Sequence, residues 1–456
     1  MARLSTYVAF KLQNVLRLLK RGRKVPIPPP IEPEVGFPMF WIYYGTNGAG
    51  SPIMTSPGVF NMALLAQAAK RNLITINAAP FTNTNAPDNL AIVSLLRAAN
   101  PNIKILWYDQ STERFGPTPA PNDTPASQWN QEWTHISSGP DKRLRCLDGT
   151  GFPYNLESPI FWNMGSPGAG TAHANIWKSF LQGKADGYFF DTFIAQTGNW
   201  QGGVGVNSSP LNFAAHGYAS LAALNAACLS EATAFANAML ATGEVWINRG
   251  LAAVFTPDSL AYAMTGELVE GFDAISTNPL SPPTWDQYMT DILAGPLPGP
   301  SPTGNGTLLF KSETGTPTPA QGLLNRMIRY NLGSACVAGG LGFVGNDRDG
   351  ANDPGMWGDE YAVTPAGVAD VSGAPANRGW LGRPVAYGFK DAATGMFLRR
   401  FERGIVLVNG TGSSKSYDLG QPYRRIAGVL DPAVNDGSLV TNVTVPNKDG
   451  RFLRNP

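Results

Sequence analysis

The sequence predicts an α/β fold: a TIM-type (β/α)8 barrel, followed by a small C-terminal antiparallel β domain and preceded by an N-terminal amphipathic helix. Three observations lead there. Between residues 38 and 345, short apolar runs alternate with helical patterns eight times, once residues 144–164 are set aside as an insertion. The runs are apolar almost without break, as strands covered on both faces must be, and repeated short β/α units are the pattern of such a barrel. Beyond about residue 375 the pattern changes to strand-like runs separated by turns. A doubly wound open sheet is the competing arrangement. Against it, "GTNGAG" (45–50) follows the first strand but leads into "SPIMTSPG", not straight into a helix, so no phosphate-binding loop is expected there.

The elements follow in order. "PMFWIYYG" (38–45) is an aromatic, β-branched strand. Residues 56–72 read as a helix, with Ser56-Pro57 as its start signal and Asn72 as its stop. "LITIN" (73–77) is a strand, 86–101 a helix stopped by Pro101, and "IKILWYD" (103–109) a strand. After a loop-rich stretch to about 168 come a helix (171–182), the strand "GYFFD" (187–191) and an Ala-rich helix (211–241). Strands at 244–250, 267–272, 306–313 and 341–345 then alternate with helices at 257–264, 284–294 and 319–337. The C-terminal strands are expected at 396–411, 424–430 and 439–445. The domains expected are thus 1–24 (helix), 25–37 (proline-rich linker), 38–375 (barrel) and 376–456 (β domain).

Composition bounds the function. The chain has 456 residues, 43% apolar and 15% charged, with 51 glycines and 38 prolines, which suits a loop-rich globular protein. A net charge of +1 implies no general attraction to nucleic acid. Cys146, Cys228 and Cys336 form neither a metal-spacing pattern nor a disulfide framework, and three histidines are too few for a histidine metal centre. No metal or organic cofactor is expected, and chemistry falls to carboxylates. In residues 1–24, Val8, Leu12, Val15 and Leu19 recur at helical spacing among basic residues. Lys11 and Arg17 interrupt the apolar run, so this is no classical signal peptide. Docking to a larger assembly or homo-oligomerisation is favoured over a membrane-surface helix. "VPIPPPIEPE" would act as a stiff stalk.

In a TIM barrel the carboxyl ends of the strands line the site. Here those ends carry Tyr44, Asn77, Asp109, Asp191, Asn248 with Arg249, Glu270, and Lys311, while the loop after the eighth strand carries Trp357, Asp359 and Glu360. Asp191 and Glu270 would face each other across the mouth, and two carboxylates across a cleft are what glycosidic cleavage uses. The remaining residues would bind sugar through stacking and hydrogen bonds. Each has a plainer reading. Asp109 and Asn77 could be turn formers, and Glu270 could pair with Arg249 or Lys311. The acidic stretch 346–360 does not fit a calcium loop, because Gly350 is misplaced relative to Asp347, Asp349 and Asp353.

"DGYFFDTF", "LVEGF", "MWGDEYAV", "LGRPVAYG" and "FLRRFERGIVLVNGT" together resemble the hypothetical glycosyl hydrolase family fifteen, over roughly residues 38–411. The chain is more distantly similar to the barrel glycosidases of clan D and the endo-galactosaminidase-like families. The resemblance implies a TIM barrel with Asp191 as nucleophile and Glu270 as acid/base. The expected function is hydrolysis of an extracellular or cell-envelope polysaccharide, by an enzyme mounted on a virion or surface assembly. The alternative is a non-catalytic, carbohydrate-binding or structural component of a virus particle, such as a tail fibre or spike. A barrel lyase or deacetylase is a weaker third reading.

Overall fold

In the computed structural model the residues described are 40–43, 54–56, 59–77, 86–110, 113–115, 159–161, 165–181, 183–191, 212–248, 264–269, 285–294, 307–313, 320–345 and 357–456. The helix expected at 1–24 and the linker at 25–37 lie outside them, as do Cys146 and the helix expected at 257–264 up to its last residue.

Eight parallel strands form one sheet in chain order: β1 (Phe40–Tyr43), β2 (Leu73–Asn77), β3 (Lys104–Gln110), β4 (Gly187–Asp191), β5 (Glu244–Ile247), β6 (Gly266–Val269), β7 (Thr307–Glu313) and β8 (Leu341–Gly345). Parallel neighbours need a crossover, and for every pair but β5 and β6 it is supplied, among the described residues, by helices. They are α1 (Met62–Ala68), α2 (Ala86–Ala99), α3 (Ala169–Leu181), α4 (Leu221–Leu240), α5 (Trp285–Ala294) and α6 (Gln321–Ala338). The register climbs steadily around the sheet: Asn77 at the end of β2 lies opposite Tyr108, then Phe189, Trp246 and Gly266, reaching Thr307 at the start of β7. Such stagger belongs to tilted strands in a curled sheet. The two outermost strands, β1 and β8, approach each other to within 8 Å between Cα atoms.

The start of the first helix differs from expectation. Ser56 ends a short ribbon strand, and α1 begins at Met62, where the Asn61 side-chain oxygen accepts the Leu64 N–H at 3.2 Å. Asparagine caps as well as serine does, and Pro57 falls outside the helix. Ser220 caps α4 in the same manner, accepting from the Ala223 N–H.

The two faces of the sheet are told apart by their contacts. Phe190 lies edge-on to Trp177 of α3 and Phe235 of α4, at 5.5 and 4.8 Å between ring centroids. That is the convex, helix-covered face. Phe189 stacks instead on Tyr108, 5.7 Å away. Phe189, Leu106, Trp246, Leu268, Leu309, Leu341 and Phe343 share the concave rows and one buried cluster. Apolar side chains on both faces explain why the strand sequences show no polar alternation.

Helices α3 and α4 meet closely at Gly170. A Cβ there would lie 2.0 Å from the Glu231 carbonyl oxygen, and the Glu231 carboxylate accepts the Gly168 and Gly170 N–H groups at 2.9 and 3.0 Å. Glu231 thus caps one helix from another. Gly170→Ala is expected to push the helices apart and cost about 1–3 kcal/mol, read as a lowered denaturant midpoint.

The C-terminal residues form a six-stranded antiparallel sheet from β9 (Phe389–Lys390), β10 (Phe397–Phe401), β11 (Gly404–Asn409), β12 (Lys415–Arg425), β13 (Leu439–Val445) and β14 (Asp449–Arg454), in the order β9-β10-β11-β14-β12-β13. The run expected as one strand at 396–411 is a tight hairpin folded at Glu402-Arg403. Val406, Val408 and Phe452 pack towards α6, whereas Ile405, Leu407 and Leu453 pack with Val443 and Val445 on the other face. Helix α6 therefore lies between two sheets and is buried along most of its length.

Candidate active site

The site is built from the concave rows at the carboxyl ends of the strands. Position 191 follows Phe190, shares a row with Gln110, and is adjacent to Asn248, whose backbone N–H donates to the Phe190 carbonyl at 2.9 Å. Asn248 is buried and stands on the row of Leu268. Lys311 lies one row further along, beside Phe343, and is also buried. Asn77 ends β2 in register with Tyr108. Tyr108, Asn248 and Lys311 therefore stand on one face of one sheet towards the carboxyl ends of its strands, and positions 77 and 191 fall on the same set of rows. Tyr44, Arg249 and Glu270 lie outside the described residues.

At the opposite, amino-terminal end the concave rows carry an exposed charge pair. Lys104 pairs with Glu244 at 2.5 Å, and the Trp246 Nε1–H donates to the same carboxylate at 3.0 Å.

Four expected site residues are elsewhere. Asp109 is in register with Phe190, so it falls on the helix-side rows. The strand continues to Gln110, and the parity of the pleat separates position 109 from Tyr108. Trp357 lies under Lys70 and Arg71, with the Lys70 ammonium 4.8 Å from its ring centroid. Those residues immediately precede β2, at the end of the strand opposite Asn77. With cations over the ring, Trp357 is no sugar platform at the mouth. Asp359 and Glu360 are buried between α6 and the C-terminal sheet, where both accept from Asn435. Chain order put all three after the eighth strand, but Trp357 meets the residues ahead of β2 and the two acids meet the turn at Asn435.

Gln110 is a concave-row position missing from the expected set. Only the register singles it out. Among the described residues no group of three or more His, Cys, Asp or Glu side chains is placed to hold a metal, and no helix is long and apolar enough to cross a membrane.

The fold is similar to that of an isomaltulose synthase. That enzyme, from Erwinia rhapontici NX5 and solved with its natural substrate sucrose, aligns at a TM-score of 0.53 and 10% identity over 94% of this chain and 100% of its own. At that identity the likeness speaks for the fold alone. Looser matches include a maltogenic alpha-amylase from Thermotoga neapolitana (TM-score 0.49, 10% identity, 91% of this chain and 97% of that one) and the glycoside hydrolase domain of PelA from Pseudomonas aeruginosa (0.40, 12%, 70% and 97%). No protein-family model matches the chain, and no curated protein matches it in sequence.

Proposed function

We propose that this chain is a glycoside hydrolase that cleaves a polysaccharide with two carboxylates, Asp191 as nucleophile or base and Glu270 as acid/base. The observation that carries the reading is the place of Asp191: the last residue of a strand, on the concave side, beside a buried Asn248, in a fold similar to that of a sugar-converting enzyme. In this reading β1 and β8 close the barrel. Tyr44, Asn77, Asn248, Arg249 and Lys311 bind the sugar, and the family-fifteen likeness rests on its motifs. Residues 1–24 mount the enzyme on a virion or surface assembly.

The test is release of new reducing ends from a panel of neutral and acidic polysaccharides by the full chain, with the anomer of the product followed by NMR. Hydrolysis is expected, with retention if the carboxyl groups are about 5–5.5 Å apart and inversion at about 6.5–9.5 Å. Binding of a polysaccharide without any cleavage would replace the hydrolase reading with that of a carbohydrate-binding barrel.

A further inference from the structure

We propose that Glu360 is a proton-operated latch: with a proton on its carboxyl the C-terminal sheet is held against α6, and as the proton leaves, that contact loosens. The argument begins with neighbouring carboxylates. Asp359 is enclosed by a turn that offers it donors only: the N–H groups of Val429, Leu430 and Asp431 at 3.0, 2.9 and 2.9 Å, and Asn435 Nδ2 at 3.4 Å. The turn comes this close because residue 428 is glycine; a Cβ there would lie 2.4 Å from Asp359 Oδ2. Glu360, next in the chain and 2% exposed, accepts one side-chain hydrogen bond, from Asn435 Nδ2 at 2.8 Å.

The groups facing Glu360 come from every element around it. Its own segment brings Asp359 and Tyr361, and α6 brings Arg329. The turn brings Asn435, and Asp431 through its pair with Arg329; β14 brings Asp449 through its pair with Arg329, and Arg451 stands behind it, paired with Asp449. Arg329 is engaged by Asp431 and Asp449, and Arg451 by Asp449. Four carboxylates thus share two guanidiniums, and among the described residues Glu360 has neither within ion-pair distance. A buried charge so placed takes a proton in preference to staying ionised.

Burial pushes the Glu360 carboxyl up to about 7, Arg329 and the Asn435 bond oppose that rise, and Asp359 adds to it. The folded value is above the unfolded one. The contribution is therefore fully present below the ordinary glutamate range, is lost as pH rises to about 7, and is absent above it.

The experiment is denaturant unfolding of the full chain from about pH 5 to about pH 8, with hydrogen exchange at residues 358–361 and 428–436. The wild type is expected to lose roughly tenfold in its folding equilibrium per pH unit from Glu360 between about pH 5 and about pH 7, and to level off above that. Glu360→Gln, a neutral isostere that still accepts from Asn435, is expected to remove that slope and to be the more stable protein at about pH 8. The same slope in both proteins, or a variant weaker at every pH, would overturn the latch. Should the variant not fold, wild-type protein with carboxyl-labelled glutamate decides by NMR. A glutamate resonance titrating near neutrality supports the proposal, and its absence overturns it.

Discussion

Replacing Asp191 by asparagine is expected to reduce polysaccharide hydrolysis by about 10²–10⁴-fold, the contribution of one positioned acid–base group, with the fold unchanged. An amide matches the carboxylate in shape but cannot attack a sugar carbon or accept the proton of a water molecule. The backbone rungs from β4 to Gln110 on one side and to Asn248 on the other do not depend on which side chain residue 191 carries. The loss should therefore appear in kcat, with KM and the denaturant midpoint close to the parent's. Asp109→Asn is the control, since register puts position 109 on the row of Phe190, towards the helices. Measured on whichever polysaccharide the parent degrades, an Asp191→Asn protein as active as the parent would move the nucleophile to another strand end. Equal losses in both variants would point to damage in the sheet, not to chemistry at position 191.

What the sequence revealed and what it hid both follow from the period of a strand. Buried parallel strands announce themselves as unbroken apolar runs, so "LITIN", "GYFFD" and "LGFVG" are found at once as β2, β4 and β8. The same lack of alternation hides which side chains point inward. Asp109 and Asp191 look equivalent as acids at strand ends, and only the ladder separates them, by a single step of parity. The loop after β8 fails for another reason. "MWGDEYAV" reads as a mouth loop if the chain stays at the barrel, yet Trp357 turns to Lys70 and Arg71, and Glu360 turns to Asn435, some 75 residues further along the chain. Such long-range pairing has no local signature. Its nearest trace is compositional: two adjacent acids between Gly358 and Tyr361, where a capping or surface role would not need two. The hairpin at Glu402-Arg403 was missed because "RRFERGIVLVN" is polar where a turn and an exposed strand face look alike.

The largest effect on stability is expected at Arg329. Its Nε donates to Asp449 Oδ1 at 2.8 Å, its Nη2 to Asp449 Oδ2 at 3.3 Å, and its Nη1 to Asp431 Oδ2 at 2.5 Å, with the side chain only 3% exposed. Arg329→Met keeps the stem and removes the cation. It leaves Asp359, Glu360, Asp431 and Asp449 facing one guanidinium, Arg451. Breaking a buried pair from one side costs about 3–5 kcal/mol, because the abandoned charges stay buried, whereas removing both sides is often neutral. The double variant Arg329→Met with Asp431→Asn should therefore recover part of the loss, and that recovery distinguishes stranded charge from lost packing. Salt should change little, since the pairs are screened by protein and not by solvent. The loss should widen with rising pH: Arg329 is one of the groups that hold the Glu360 carboxyl down, so without it that proton is held more firmly and its removal costs more. The opposite side of α6 extends the consequence to the candidate site. There Asn331 Nδ2 donates to the Phe310 carbonyl and to Ser312 Oγ, both at 2.9 Å, gripping the strand that presents Lys311. A helix freed from the C-terminal sheet would relax that grip, so Arg329→Met should also lower hydrolysis more than its loss of folded protein accounts for. An Arg329→Met protein within about 1 kcal/mol of the parent, the range of exposed pairs, would show that water reaches this network and that the two sheets are not joined through it.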